Sequence, residues 1–305
     1  MVTGEVALPS EEDLPAVLLE LAVPHEDIDA LVALRPVVRR SAQAWELVER
    51  SAALLARDLG AVEASGPLPD LPDGLGELRR YLPVFVFLAA LPEVRRYHQS
   101  RGIPDEVSRL TLADLGRCVA RYRRQHGTGG LDLVSWLALH FRGALYQLGR
   151  LQYQRARLSE RVGLACQAAG LPHGPGHPAL SLHIPGCFGP LSPRACDASL
   201  AAAREFFARH FPDEPYPVVR CASWLLDGQL AGYLPAASNI VAFQHRFARL
   251  DPPEVPDDEG LLRFVFGREV SALAGLPRRT TLERVAVDHL RAGRHWYPVE
   301  GWFPL

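Results

Sequence analysis

Residues 179–207, ALSLHIPGCFGPLSPRACDASLAAAREFF, form the stretch of the chain that decides its fold. The apolar run at 179–185 has the length and the residue types of a strand. Residues 193–211 repeat apolar side chains at helical spacing, which predicts a helix. Between them stands GCFGPLS, whose glycine, proline and serine residues indicate a loop. The stretch therefore predicts a strand, a short loop and a long helix in immediate succession.

The predicted loop has two possible roles. Ser192 can cap the helix, and Pro193 suits its first position. The N–H groups of a helix's first turn have no partners within the helix, and the helix dipole favours an anion there. The loop is therefore either a phosphate site or an ordinary capped loop without a ligand.

His183 is the histidine of the predicted strand, and it allows three interpretations. It is a candidate general base because imidazole titrates near neutrality, with a pKa of about 6.5, or it is a buried structural residue. As a third alternative, His173, His177, His183 and Cys187 give H-x3-H-x5-H-x3-C, whose residue types can bind zinc. This spacing matches no zinc pattern, so no metal is expected. Cys187 or Cys196 would serve as a nucleophile only in a setting that lowers the thiol pKa.

Composition excludes several function classes. The chain has 305 residues, 48% of them hydrophobic, and a formal net charge of −2 at pH 7. The sequence contains no lysine, and its basic residues are arginines, which excludes a lysine Schiff base or a P-loop lysine. This bias towards arginine fits a GC-rich bacterial genome. The balanced charge offers no basic footprint for nucleic acid. Three features predict a cytoplasmic protein without a membrane segment. The five cysteines are scattered, the N-terminus lacks a secretory pattern, and the sequence has no long apolar span.

The spacing of the apolar residues changes along the chain and divides it into two parts. Helical spacing dominates the first part, with helices predicted at 12–22, 41–59, 78–90, 93–100, 111–127 and 131–141. A capping box is expected at TLAD, residues 111–114. The later part alternates strands with helices: strands are predicted at 143–158, 179–185, 217–226, 261–266 and 294–303, and helices at 193–211 and 281–292. An α+β fold follows, with a helical N-terminal domain at 1–130 and a mixed-sheet domain at 131–305, the boundary lying within about twenty residues of 130.

Smaller expectations concern single residues. Gly149 is interpreted as a bulge within one long strand. Arg150 and Gln152 of the same strand either reach a pocket or, as the default expectation, face solvent. Asp288 and His289 are expected on the surface of the late helix.

Several ordered motifs resemble one bacterial family. They are LYQLGRLQYQ, LSLHIPGxxGPLSPxxCxxS, CASWLLDGQLAGYLPAASNIVAFQHRF and LPRRTTLERVAVDHLRAG, which together lie within residues 110–303. The family is that of acyltransferase-domain proteins with a helical N-terminal domain and a GNAT-like C-terminal domain. The resemblance implies transfer of an acyl group from acetyl-CoA or another acyl-CoA to an amine.

The resemblance also implies where the cofactor lies. In a GNAT fold a central strand diverges from its neighbour and pairs with pantetheine, and the following helix N-terminus holds the pyrophosphate. The implied cofactor-binding residues here are Ile184, Gly186, Gly189, Leu191, Ser192 and Asn239. His183 is the implied base, with Tyr153 and Glu205 as weaker alternatives. Cys221 and Ser223 are expected to line the acyl or acceptor pocket, and Trp224 is expected in the core.

Two functions remain open at this point. The first is an acyl-CoA-dependent N-acyltransferase acting on a small-molecule or peptide amine, as a possible homodimer and without nucleic-acid or membrane partners. The second is a non-catalytic module that keeps the fold and binds an acyl thioester or a partner protein. The absence of the usual Q/R-x-x-G-x-G/A pyrophosphate signature at GCFGPLSP favours the second.

Overall fold

A computed structural model describes residues 6–71, 73–267 and 273–305. The chain divides into two compact units, Met1–Tyr146 and Gln147–Leu305. The first five residues, part of the N-terminal segment that lacks a secretory pattern, lie outside the described residues. Within the described ranges, no helix is both long and apolar enough to cross a bilayer.

The first unit is helical, as predicted. Its helices are α1 (Leu14–Glu20), α2 (His25–Arg40), α3 (Ala42–Arg57), α4 (Leu78–Ser100), α5 (Asp105–Leu112), α6 (Asp114–His126) and α7 (Val134–Phe141). Their inward faces share one apolar core. The middle of α4, residues 82–91, is buried on every side of the helix and forms the centre of that core.

The boundary between the units lies sixteen residues beyond the one predicted at residue 130. Helix α7 packs on α4, with the rings of Phe87 and Phe141 4.8 Å apart. Leu137 of α7 is also fully buried in the helical core. Because α7 completes that core, residues 131–144 belong to the helical unit, and the boundary falls within the first strand of the sheet, which begins at Leu145.

Two predictions about this unit are wrong in detail. Residues 78–90 and 93–100 form the single helix α4, with Pro92 inside it. A proline within a helix costs about 3 kcal/mol, and the complete burial of the middle of α4 offsets that loss. The expected capping box is absent, because Thr111 is buried within α5 and Ala113 precedes α6 without a side-chain cap.

The second unit is built on a six-stranded mixed sheet. Its strands are β1 (Leu145–Leu148), β2 (Leu151–Arg157), β3 (Pro178–His183), β4 (Val218–Ser223), β5 (Ala248–Arg249) and β6 (Val299–Pro304), in the order β1-β2-β3-β4-β6-β5. The pair β3–β4 is parallel, whereas β2–β3, β4–β6 and β5–β6 are antiparallel. The helices are α8 (Glu160–Ala168), α9 (Pro193–His210), α10 (Asn239–Gln244), α11 (Asp258–Phe266) and α12 (Thr281–Arg291). The α+β class is confirmed.

Two strand predictions in this unit are corrected. The supposed bulge at Gly149 is the turn of a hairpin between β1 and β2, because φ of +67° at Gly149 reverses the chain. Residues 261–266 belong to helix α11 instead of a strand. Asp257 caps that helix by accepting from Gly260 N, and Gly267 ends it with φ of +65°.

A buried carboxylate ties α2, α4 and α6 together. Asp27 is completely buried and accepts from Tyr81 Oη at 2.6 Å. Arg123 donates to both carboxylate oxygens, at 2.7 Å from Nη2 and 3.0 Å from Nε. A buried charge with all its partners in place is tolerated, whereas removal of one partner leaves the others unpaired.

We expect Asp27→Ala to lower the free energy of unfolding by about 2 to 3 kcal/mol, because Tyr81 and Arg123 lose their acceptor. The measurement is urea denaturation followed by circular dichroism. Asp29→Ala, on the exposed face of the same helix, is the matched control and should change stability by less than about 0.5 kcal/mol. Equal effects of the two substitutions would contradict this role for Asp27.

Candidate active site

The parallel strands β3 and β4 pair over only part of their length. The register joins Leu180 to Val219 and Ser181 to Arg220. Beyond these pairs, Leu182 and His183 are in register with β2 alone, and residues 221–223 with β6 alone. Past these pairs, the facing edges of β3 and β4 are no longer joined by a ladder of backbone hydrogen bonds. Such an opening can accept an extended ligand by backbone hydrogen bonds, which matches the diverging strand expected from the resemblance.

The loop after β3 leads directly into the first turn of α9. Ser192 caps this helix by accepting from Ala195 N at 3.3 Å, and Pro193 is its first residue. Gly186 and Gly189 are exposed, and a Cβ at either would meet no atom within 4 Å. The backbone of the loop is therefore accessible from solvent beside a helix N-terminus, a setting suited to phosphate.

The other implied cofactor residues differ in what they can offer. Ile184 is half-buried directly after the end of β3. The Leu191 side chain is buried and anchors the loop, so its backbone is the part that remains for a ligand. Asn239 is exposed as the first residue of α10, after Ser238, which caps that helix through Val241 N. Asn239 therefore stands in the first turn of a helix.

An arginine that the sequence reasoning missed links α10 to α9. Arg246 follows α10, and its Nη1 lies 2.6 Å from Asp197 Oδ1. Its Nη2 donates to the carbonyl oxygen of Pro193 at 3.2 Å. This contact holds the α10 segment against the first turn of α9. The motif NIVAFQHRF contained the signal, but an arginine beyond a helix end does not by itself indicate a partner.

His183 lies at the point where β3 and β4 part. It is the last residue of β3, is half-buried, and stands opposite Gln152 in the β2–β3 register. Its Nε2 is 3.0 Å from Gln154 Oε1. With that amide oxygen as the acceptor, Nε2 carries the proton and Nδ1 is the basic nitrogen. This hydrogen bond favours the Nε2-protonated tautomer of a histidine beside the opening.

The two weaker base candidates lie in unsuitable places. Tyr153 is completely buried, and its Oη is 3.1 Å from Ser199 Oγ. Burial raises the pKa of this phenol, which makes it a poor base near neutrality. Glu205 is exposed on α9 and pairs with Arg209 one turn away, at 2.9 Å.

The residues expected around the acyl or acceptor pocket lie on and just after β4. Burial raises the pKa of the Cys221 thiol to about 12. Ser223 caps the 3-10 turn at Trp224–Leu226 by accepting from Leu225 N. Trp224 is only half-buried, contrary to its expected core position, and its ring lies 5.5 Å from that of the half-exposed Phe264.

The zinc and thiol alternatives gain no support. Over residues 6–71, 73–267 and 273–305, no group of three or more His, Cys, Asp or Glu could hold a metal ion. The His173 and His177 rings stack 4.5 Å apart, while His183 pairs with Gln154. Burial raises the pKa of Cys196, the opposite of what a nucleophile needs. Cys187 is exposed on the loop.

Of four polar residues expected in solvent, three are buried and one is exposed. Arg150 and Gln152, expected in solvent, are buried. They face inward because the hairpin turn folds towards the residues that follow β3, where Arg150 Nη1 donates to Pro185 O at 2.8 Å. His289 is buried as well, with Nδ1 2.8 Å from Tyr233 Oη. Asp288 is exposed and pairs with Arg278, as expected.

Comparison with protein families covers both units. Residues 12–143 match the N-acyltransferase N-terminal domain, and residues 145–303 match the GNAT-like C-terminal domain. No curated protein matches the chain.

Solved structures give close matches over the full chain. A crystal structure of an acyltransferase in complex with decanoyl-CoA and teicoplanin is 40% identical, with a TM-score of 0.90, and the match covers 100% of this chain and 91% of that one. A tryptophan-to-alanine variant with octanoyl-CoA and an acyltransferase with CoA and 10C-teicoplanin are each 39% identical, with TM-scores of 0.90 and the same coverage. The chain therefore belongs to the family of acyltransferases that join an N-acyltransferase N-terminal domain to a GNAT-like C-terminal domain.

Proposed function

We propose that this protein transfers a medium-chain acyl group from acyl-CoA to an amine of a glycopeptide-like small molecule. The observation that carries the proposal is the opening between β3 and β4, which ends at His183 and the loop before α9. Membership of the family makes the chain an acyltransferase with acyl-CoA as its donor. The kind of acceptor and the length of the acyl chain are the finer parts of the proposal.

The donor would lie along β3. The register between β3 and β4 ends at Ser181 and Arg220, and the strand beyond that point is suited to pairing with the amides of pantetheine. The phosphates would then reach the Gly186–Ser192 loop and the first turn of α9. There the unpaired N–H groups and the helix dipole favour negative charge.

The acceptor is inferred from the relatives. One relative was crystallised with teicoplanin and decanoyl-CoA, and another with CoA and 10C-teicoplanin. A related acceptor for this chain is consistent with its 40% identity to the first of them. The octanoyl-CoA and decanoyl-CoA complexes support an acyl chain of medium length.

The chemistry needs a base and an oxyanion donor. The neutral amine attacks the thioester carbonyl, which forms the N–C bond and places negative charge on the carbonyl oxygen. A backbone N–H near Ile184 or that of Gly186 would stabilise that charge. His183 Nδ1 takes the proton from the attacking nitrogen. The C–S bond then breaks, and the CoA thiolate leaves and takes up a proton.

His183→Ala should lower kcat by at least about a hundredfold, because the proton acceptor is lost. The affinity for octanoyl-CoA, measured by calorimetry, should stay within about twofold, because the side chain does not hold the donor. The assay is release of free CoA thiol from octanoyl-CoA with teicoplanin as acceptor. His177→Ala, a histidine outside the strand, is the control and should leave kcat unchanged.

Unchanged turnover in His183→Ala would remove His183 from the role of base. Binding of octanoyl-CoA by the unaltered protein without any turnover would favour the non-catalytic module instead.

Cys187 offers a second test because it is the exposed cysteine, whereas the other four are buried. Iodoacetamide should label Cys187 first in the native protein, as read by peptide mass spectrometry. Octanoyl-CoA at a hundred times its Kd leaves about 1% of the protein free. Labelling of Cys187 should slow accordingly if the phosphates occupy the loop, and Cys187→Ser should abolish the fast reaction. An unaltered labelling rate would contradict binding at the loop.

A further inference from the structure

Arg150 lies beside the proposed phosphate loop although it comes from another part of the chain. It is in the turn between β1 and β2. Because β2 runs antiparallel to β3 with Gln152 opposite His183, that turn lies next to the residues that follow β3. The Arg150 Nη1 donates to the carbonyl oxygen of Pro185 at 2.8 Å, one residue before the loop.

The turn that carries Arg150 is fixed against α9. Leu151 N donates to Ser199 Oγ at 3.2 Å, and Ser199 Oγ in turn donates to Leu148 O. A Cβ at Gly149 would lie 3.6 Å from the Ser199 Cα, so the turn packs closely on this helix. The guanidinium is therefore held in place by the fold of the hairpin.

The positive charge of Arg150 has no acidic partner among the described residues. The residue is only 8% exposed, and its Nε is buried without a hydrogen-bond partner. Burial lowers the pKa of this guanidinium, and the thiols of Cys196 and Cys187 act against that shift. Because burial raises the pKa of Cys196, that thiol stays neutral and does not compensate the charge.

Arg155, a second buried arginine of the same unit, provides a comparison, because its charge is paired within the fold. Arg155 is 1% exposed and donates from Nη2 to both carboxylate oxygens of Glu214, at 2.6 and 2.8 Å. Tyr216 Oη also accepts from its Nε, at 3.1 Å. An arginine buried to stabilise the fold is thus paired here, as the cost of burying a charge requires.

We propose that Arg150 binds a phosphate of the CoA part of the donor and makes the enzyme prefer acyl-CoA over acyl thioesters that lack phosphate. This inference rests on the proposed function. The loop Gly186–Ser192 lacks the usual glycine-rich pyrophosphate signature, and Arg150 supplies charge at the same place. Arginine is well suited to this role because its donors match the oxygens of a phosphate group.

The test compares two donors that differ in their phosphates. Octanoyl-CoA and octanoyl-pantetheine carry the same thioester, and only the first carries phosphate. Arg150→Met should lower kcat/KM for octanoyl-CoA on the order of tenfold to a hundredfold, the usual effect of losing one charged hydrogen bond. It should change kcat/KM for octanoyl-pantetheine by less than about twofold. Arg150→Lys should recover part of the loss, because it restores the charge without the planar geometry.

Arg204→Met is the matched control, since Arg204 is exposed on α9, and it should leave both values unchanged. Equal losses for both donors in Arg150→Met would overturn the proposal and assign Arg150 to holding the Pro185 carbonyl. Thermal unfolding of the free protein provides a second readout. Removal of an uncompensated buried charge should not lower the Tm, whereas a purely structural role would lower it.

Calorimetry with CoA alone separates this inference from the proposed function. Weaker CoA binding by Arg150→Met supports the phosphate contact even if the unaltered protein shows no turnover. Equal CoA binding by the two proteins overturns it even if the unaltered protein is an active acyltransferase.

Discussion

The incomplete pairing of β3 with β4 is the constraint on which the rest of the site depends. A parallel ladder that continued past Ser181 and Arg220 would use the backbone groups that a pantetheine arm needs. The flanking strands make the opening possible, because β2 continues to pair with β3 and β6 continues to pair with β4. The two edges of the opening are thus held by the sheet while the gap between them is left for a ligand.

Helix α9, the segment after α10 and the β1–β2 turn all lie at the end of the same opening. The cap at Ser192 directs the first turn of α9 towards the loop, and Arg246 holds the segment after α10 against that turn. The hairpin turn brings Arg150 to the carbonyl of Pro185. Backbone groups, a helix terminus and a buried cation therefore meet at one end of the sheet. Each of them suits a long, partly anionic donor better than a compact one.

Local patterns in the sequence predicted the strand, loop and helix at 179–211 correctly, because period, cap and turn residues all agree there. They failed at Pro92, which remains inside α4 because tertiary packing buries that helix on every side. They also failed at 261–266, where local residues, the cap Asp257 and the terminal Gly267, mark a helix instead of a strand. The resemblance indicated the family correctly, and the family comparisons confirm it. No local pattern could predict the burial of Arg150, since it depends on a hairpin turn meeting a loop 35 residues further along the chain.

A crystal structure of the protein with a thioether analogue of octanoyl-CoA tests the central claim most directly. The account predicts pantetheine amides hydrogen-bonded to the β3 backbone between Leu182 and Ile184, with the thioether near His183. It also predicts phosphate oxygens at the loop Gly186–Ser192. An analogue bound elsewhere, with β3 and β4 still apart and unoccupied, would contradict it.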